Sequence, residues 1–135
     1  MLPVCLILSL AIARPNPFSF GGTRNETFDP ARPGIVRLHR HPLLLALTLW
    51  AGAHVVPNGD LPHVILFGTF CGLALLGQCL VDHRKRREMG KDWDALAAKV
   101  KGSAPLPLPR LVTGLALYLL LIAVHPLLFR VSPLP

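Results

Sequence analysis

Four apolar runs that contain no Asp, Glu, Lys or Arg constrain this 135-residue chain more than any other feature. They cover residues 1–13, 42–56, 61–81 and 111–129. The last two are 21 and 19 residues long, close to the roughly 20 residues that a helix needs to cross the hydrocarbon core of a bilayer. The run 42–56 is shorter and crosses if Arg40 extends to the interface or the bilayer thins. The sequence predicts an all-α integral membrane helical bundle with about four transmembrane helices, all in one domain.

Composition excludes an ordinary soluble domain, because 52% of the residues are hydrophobic and a chain this small cannot bury so much apolar surface. The first run, 1–13, is predicted to be part of a transmembrane helix. The alternative is a cleaved signal peptide, since Ala11-Ile12-Ala13 has its small-residue ending, but no basic segment precedes the run. Because the chain opens directly inside apolar sequence, we expect it to be N-terminally truncated and Met1 not to be the native start.

The net charge of +7 is unevenly distributed. Five arginines lie in the segment 14–41 and eight basic residues lie in 82–110, whereas the turn 57–60 has none. The positive-inside rule therefore predicts that the loops 14–41 and 82–110 are cytoplasmic. The basic run 84–87 directly follows an apolar run and lacks interleaved aromatic residues, which favours membrane anchoring over nucleic-acid binding. The predicted partner is the lipid bilayer, with no nucleic acid.

Three local patterns add detail to the predicted helices. Asn58-Gly59 predicts a left-handed stop for the second helix and Asp60 an N-cap for the third, so these helices should be antiparallel neighbours. Gly68 and Gly72 form a G-x-x-x-G pair that predicts close helix packing. Apolar residues at helical spacing also predict a short amphipathic helix lying on the inner membrane surface; they are Trp93, Leu96, Ala97 and Val100.

Histidine is the side chain that can titrate or bind a metal at depth, since the apolar runs hold no charged residue. His54, His63 and His125 are all predicted near the outer side of the membrane. His54 lies one turn beyond Trp50 and follows the small residues 51–53. Neutral imidazoles on apolar helices, without a covalent C-x-x-C-H attachment, are ingredients of a b-type haem site. Interhelical hydrogen bonding is the other interpretation, and the residues alone leave both open.

Five short motifs follow one another through the centre of the chain. They are Arg32-Pro33-Gly34-Ile35-Val36, Arg40-His41-Pro42, Leu49-Trp50-Ala51-Gly52-Ala53-His54, Asn58-Gly59-Asp60-Leu61 and Leu66-Phe67-Gly68. This succession resembles the central signature of the NnrU family of bacterial membrane proteins, and the segments 114–118 and 123–126 resemble its last helix. The resemblance implies a multi-pass protein of the bacterial inner (cytoplasmic) membrane, associated with denitrification and nitric-oxide metabolism. Through the related plant 15-cis-zeta-carotene isomerase, it also implies b-type haem and an isomerase-like activity.

Carried over by position, the resemblance implies which residues bind the cofactor haem b. The axial histidine of the family falls on His54, and the histidine of its closing His-Pro pair falls on His125, so both are predicted metal ligands. Trp50 is expected to pack on the macrocycle. The other axial histidine of the family is expected in helices upstream of this sequence.

Two other functions stay open at this point. Arg40-His41-Pro42 also resembles the motif of S-adenosylmethionine-dependent membrane methyltransferases of the isoprenylcysteine type, which would place the cofactor at His41. Those enzymes continue with an aromatic residue and carry a later Glu-Glu pair, whereas this chain has Leu43 and a single Glu88 there. His41 could instead bind nearby backbone where Pro42 begins a helix. A non-enzymatic membrane assembly factor for nitrogen-oxide reductases needs no catalytic residue.

Overall fold

A computed structural model of the chain describes residues 1–100 and 106–132, and within these ranges all regular structure is helical. It has five α-helices there: α1 (Leu2–Ala11), α2 (Pro42–Val55), α3 (Leu61–Met89), α4 (Lys91–Lys99) and α5 (Leu108–Phe129). Two 3-10 turns, Asn25–Thr27 and Gly34–Arg37, lie in the connection between α1 and α2. The predicted all-α class is confirmed. Residues 101–105 of the predicted loop 82–110 lie outside the described residues.

Helices α3 and α5 are long and apolar enough to cross a membrane, whereas α1 and α2 are apolar but shorter. Ala74 is the one described residue of α3 that is buried, and Gly114 is the one of α5. A core helix of a soluble protein would bury its apolar side chains, but these two helices expose theirs. Exposed apolar surface on this scale calls for lipid or another apolar partner.

The helices pack in the order α5, α1, α2, α3, with α1 contacting both α5 and α2. Packing is closest where a glycine lets two backbones approach. A Cβ added to Gly114 on α5 would lie 2.7 Å from Ser9 Oγ and 3.1 Å from the Cα of Leu6, both on α1. A Cβ on Gly77 of α3 would lie 3.3 Å from the Leu44 side chain of α2. A side chain at either position would therefore force the neighbouring helix to shift or repack.

The predicted packing role of Gly68 and Gly72 is wrong for the described part of the chain. A Cβ on either glycine would meet nothing within 4 Å. Both lie on α3, which packs on α2 at Gly77 instead. The G-x-x-x-G spacing shows that a close approach is sterically allowed, but it does not show that a partner helix is present.

The turn between α2 and α3 differs in part from its prediction. Asp60 is the N-cap of α3, as predicted, and its side chain accepts a hydrogen bond from the His63 backbone N–H at 3.3 Å. Gly59, however, is not among the residues with positive φ. The Asn58 side-chain amide instead donates to the His54 carbonyl at 2.8 Å, which satisfies one of the terminal carbonyls of α2.

Helix α3 continues beyond the predicted apolar run 61–81 and ends at Met89. Glu88 accepts hydrogen bonds from Arg84 Nε at 2.6 Å and from Lys85 Nζ at 3.0 Å. Such pairs at spacings of four and three stabilise a helix. Gly90, with φ of +57°, ends α3 and begins the turn into α4. Hydropathy therefore marks where the apolar surface ends and not where the helix ends.

Helix α4 is amphipathic as predicted, but its apolar face packs on the protein itself and not on a membrane surface. Trp93 is 3% exposed and forms a buried cluster with Phe18 and Val36. The guanidinium of Arg86 lies 4.2 Å from the Trp93 ring and that of Arg40 lies 5.3 Å from it. Apolar residues inside the basic segment 14–41 provide this partner surface. The cluster is completed by Phe28, Met89, Leu96, Ala97 and Val100. We call the two segments joined here, 12–41 and 82–100, the loop layer.

We expect Gly114→Ala to lower the free energy of unfolding by about 1–3 kcal/mol, because the added methyl group meets the backbone of Leu6 on α1. Gly68→Ala is the matched control on an open helix face. It should leave stability unchanged or raise it slightly, since alanine is the better helix former. Thermal unfolding of both variants in the same detergent checks this. Equal losses would contradict the assigned α1–α5 contact.

Candidate functional site

His54 lies on the last turn of α2, and a hydrogen bond fixes how its ring is used. Its Nδ1 lies 2.8 Å from the backbone oxygen of Trp50, one turn earlier. Because a carbonyl oxygen can only accept, Nδ1 carries a proton, and in the neutral ring the lone pair is then on Nε2. Among the described residues, none forms a hydrogen bond with Nε2. His54 can therefore offer Nε2 as a ligand atom.

Aromatic side chains from α2 and α3 surround this imidazole. The ring centroid of His54 lies 4.8 Å from that of Trp50 and 5.0 Å from that of Phe67. Trp50 also contacts Phe70, at 6.1 Å, and Phe67 stacks on His63 at 6.1 Å with an interplanar angle of 17°. We call these five residues the aromatic cluster. It holds the half-buried His54 ring between apolar surfaces.

His63 is the second histidine of the cluster and is oriented by the N-cap of its own helix. Its Nδ1 lies 2.6 Å and 2.8 Å from the two carboxylate oxygens of Asp60. This hydrogen bond lowers the pKa of Asp60, with the His63 backbone bond as a further cause. As with His54, Nδ1 is the engaged nitrogen, although His63 is exposed.

His125 lies apart from the aromatic cluster, near the end of α5. Its Nδ1 lies 2.9 Å from the backbone oxygen of Val131; because a carbonyl oxygen only accepts, Nδ1 is the protonated donor. Its ring packs on Phe129 at 4.9 Å. The structure thus brings two of the three predicted outer histidines together around Phe67, and no described contact joins His125 to them. Among the residues that the structure describes, no group of three or more His, Cys, Asp and Glu side chains could hold a metal ion.

His41 lies in the loop layer, and both of its nitrogens are engaged. It is 4% exposed, with Nδ1 lying 3.0 Å from Ser19 Oγ and Nε2 lying 2.9 Å from an oxygen of Asp82. A carboxylate accepts, so Nε2–H donates to Asp82 and the Ser19 hydroxyl donates to Nδ1. The second oxygen of Asp82 accepts from Arg40 Nη2 at 2.7 Å. His41, at the start of α2, therefore links the loop at Ser19 to α3 at Asp82. Neither of its ring nitrogens has a free lone pair for a cofactor.

Sequence reasoning missed Asp82 and Ser19 as partners of His41. Asp82 is separated from His41 by 41 residues, so no local period connects them. One signal was present: Asp82 is an acidic residue that directly ends an apolar run and precedes a basic one. A carboxylate at that position needs a nearby cation or donor, and the Arg-His pair before α2 supplies both.

Burial lowers the pKa of His41 from its ordinary value. The hydrogen bond and the charge of Asp82 act in the opposite direction, whereas Arg40 and His39 add to the lowering. The folded protein thus favours the neutral ring, in which the Ser19 hydroxyl donates to Nδ1.

The described fold is all-helical, with two helices long and apolar enough to cross a membrane. A histidine in an aromatic cluster lies at one end of the α2–α3 pair, and a buried polar contact lies at the other. The family model described as NnrU protein matches residues 1–133, and the chain belongs to the NnrU family. The resemblance carried by the sequence motifs is thereby confirmed. Comparisons with curated proteins and with solved structures found no match.

The lowered pKa of His41 predicts that acid destabilises the protein. The stabilisation from its neutral form is fully present above the unfolded pKa of about 6.5. It should be lost as the pH falls from there through the lower folded pKa. Thermal unfolding in detergent between pH 8 and pH 5 measures this.

His41→Gln should be less stable than the wild type at pH 8 and should show a weaker loss on acidification over the same range. His83→Gln, which removes an exposed histidine of α3, is the control and should keep the wild-type pH dependence. If His41→Gln keeps it as well, another group is responsible.

Proposed function

We propose that this NnrU protein binds haem b in the bacterial inner membrane, with His54 as an axial ligand through Nε2. The observation that carries the proposal is the hydrogen bond from His54 Nδ1–H to the Trp50 carbonyl. Histidines that bind a metal almost always donate their other ring N–H to a carbonyl, a carboxylate or water, which fixes the tautomer and the ring orientation. In His54 this hydrogen bond is formed within the chain itself, between two residues of α2.

The surroundings of His54 fit a flat apolar macrocycle. Trp50 and Phe67 provide aromatic surface on the imidazole, and they exclude water from its apolar side. A histidine-bound haem supplies one-electron chemistry and, where a coordination position is open, a binding site for nitric oxide.

His125 is our candidate for the second ligand or for a residue lining the site. It has the same bonding pattern as His54, with Nδ1 donating to a carbonyl and Nε2 available. Helix α1 lies between α2 and α5, but its 10 residues extend only about 15 Å. From its first residue, α2 rises about 18 Å to His54, and α5 rises about 26 Å from its first residue to His125. Both histidines therefore lie farther from the loop layer than α1 extends. Helix α1 lies between α2 and α5 near the loop layer but not at the level of the two histidines.

The proposed topology has four crossings, with the basic loops 14–41 and 82–110 in the cytoplasm. The packing of Trp93 on Phe18 and Val36 supports it, because segments that form one folded layer must lie on the same side of a membrane. Helix α2 has 14 residues, about 21 Å, and α1 has 10, about 15 Å. Both are shorter than the hydrocarbon core, so these two crossings require local thinning of the bilayer.

The resemblance to the NnrU family supports a proposal for the reaction that the haem would serve. We propose a role in denitrification and nitric-oxide metabolism or a haem-dependent isomerisation of an apolar substrate. The geometry of His41 gives no support to a methyltransferase, since that residue is buried and both of its nitrogens are engaged. Absorption and bound-ligand analysis of the purified protein separates these functions.

We expect detergent-purified protein supplied with haem b to show a low-spin haem band in its reduced-minus-oxidised spectrum, and His54→Ala to lose it. Added imidazole should restore part of the band, because it replaces the missing ligand. His83→Ala removes an exposed histidine at the other end of α3 and should keep the spectrum. An unchanged spectrum in His54→Ala would reject the assignment.

The wild type alone decides between the remaining functions. Bound S-adenosylmethionine without haem would favour a methyltransferase, and neither ligand would favour a membrane assembly factor. His125→Ala should alter the band shape if His125 is the second ligand, with size-exclusion chromatography confirming that each variant stays folded.

A further inference from the structure

A second site of a different character lies in the loop layer, away from the aromatic cluster. A cavity of about 400 Å³ opens where α1 ends and where α2 and α5 begin. Its apolar lining includes Leu10 and Ala11 of α1 and Leu106 beside α5. Its charged lining consists of Arg14, Arg24, Arg32, Arg110 and Asp29.

The charges around this cavity are unbalanced. Four arginines face one carboxylate, and Asp29 already accepts a hydrogen bond from the Ala31 N–H at 2.9 Å. Within residues 1–100 and 106–132, the guanidinium groups of Arg14, Arg24 and Arg32 form no hydrogen bond or ion pair. Like charges that line one cavity repel one another, although the exposure of Arg14, Arg24 and Arg32 to solvent weakens that repulsion. A bound anion would relieve that repulsion.

Arg110 shows how this side of the cavity is anchored. Its Nη1 donates to the backbone oxygens of Ser9 at 2.6 Å and Ile12 at 2.9 Å, the terminal carbonyls of α1. The Arg110 guanidinium thus caps the C-terminus of α1, where the helix dipole is negative, and places its own positive charge at the cavity wall. The N-terminus of α5 begins at Leu108 beside it, where the helix dipole adds partial positive charge.

The backbone that carries Arg14 and Arg24 is held in place by hydrogen bonds. The Thr23 N–H donates to the Arg14 carbonyl at 3.2 Å, and the Asn16 N–H donates to Asn25 Oδ1 at 2.8 Å. These contacts join the loop segments 14–16 and 23–25 near the cavity. A site whose backbone is already ordered loses less entropy when a ligand binds.

We propose that this cavity binds a phosphate-bearing anion. Guanidinium groups match the geometry of phosphate oxygens and form charge-assisted, often bidentate, hydrogen bonds with them. The volume exceeds that of inorganic phosphate and leaves room for a substituent, which the apolar lining residues Leu10, Ala11 and Leu106 would contact. The same chemistry is found in the headgroup of an anionic phospholipid and in a soluble phosphate compound, and the experiment distinguishes them.

The test compares Arg24→Gln/Arg32→Gln with Arg84→Gln/Arg87→Gln, a control that removes the same charge from α3, outside the cavity. Native mass spectrometry measures binding of phosphatidylglycerol and phosphatidylcholine to each detergent-purified protein. Calorimetric titration with inorganic phosphate, against chloride at equal ionic strength, measures the soluble anion. We expect the wild type and the control to bind one phosphate probe selectively, and the cavity variant to bind it about tenfold or more weakly.

Selective binding of phosphatidylglycerol alone assigns the site to a lipid headgroup, and binding of inorganic phosphate assigns it to a soluble compound. Either supports the proposal when the cavity variant loses it and the control does not. Equal loss in both variants would show a diffuse charge effect and overturn the proposal. So would a wild type that prefers neither phosphate probe over its reference, a result that does not depend on how the variants fold.

Discussion

The helices of this chain are joined by polar contacts concentrated at one end of the bundle. Asp82 of α3 accepts from His41 and Arg40 at the start of α2, and Arg110 of α5 donates to the last carbonyls of α1. Apolar helices in lipid gain little from the hydrophobic effect when they pack on one another, because lipid tails are as apolar as leucine. Polar contacts and close packing at glycines therefore determine which helices are neighbours.

The aromatic cluster at the other end is built differently. His54 is oriented by a carbonyl four residues earlier in its own helix, and its aromatic neighbours come from the two helices of one hairpin. This geometry depends on α2 and α3 alone, so it persists whatever packs on the outer parts of α1 and α5. A ligand site built on one hairpin can accept its remaining wall from another helix or from the lipid.

The sequence predicts the start of α2 at Pro42 and of α3 at Leu61, and the end of α5 at Phe129, because proline, the Asp60 cap and the limits of the apolar runs are local signals. It also identifies His54 and Trp50 as neighbours, since both lie on one face of one helix. It misses the bond between His41 and Asp82, which joins residues far apart in the chain. The burial of Trp93 is missed as well, because Phe18 and Val36 occur singly within a basic segment and show no helical period.

The positive-inside pattern illustrates the same limit for charge. Counting Lys and Arg predicts on which side a loop lies, but it treats all these residues as equivalent. In the structure, Arg40 and Arg86 lie against Trp93, and Arg110 binds the end of α1, so their charge is part of the fold. Arg14 and Arg24 line a cavity and have no such partner among the described residues. The positive-inside rule would account for basic residues anywhere in the loop layer. The proposed anion would account for the presence of several of them around one cavity.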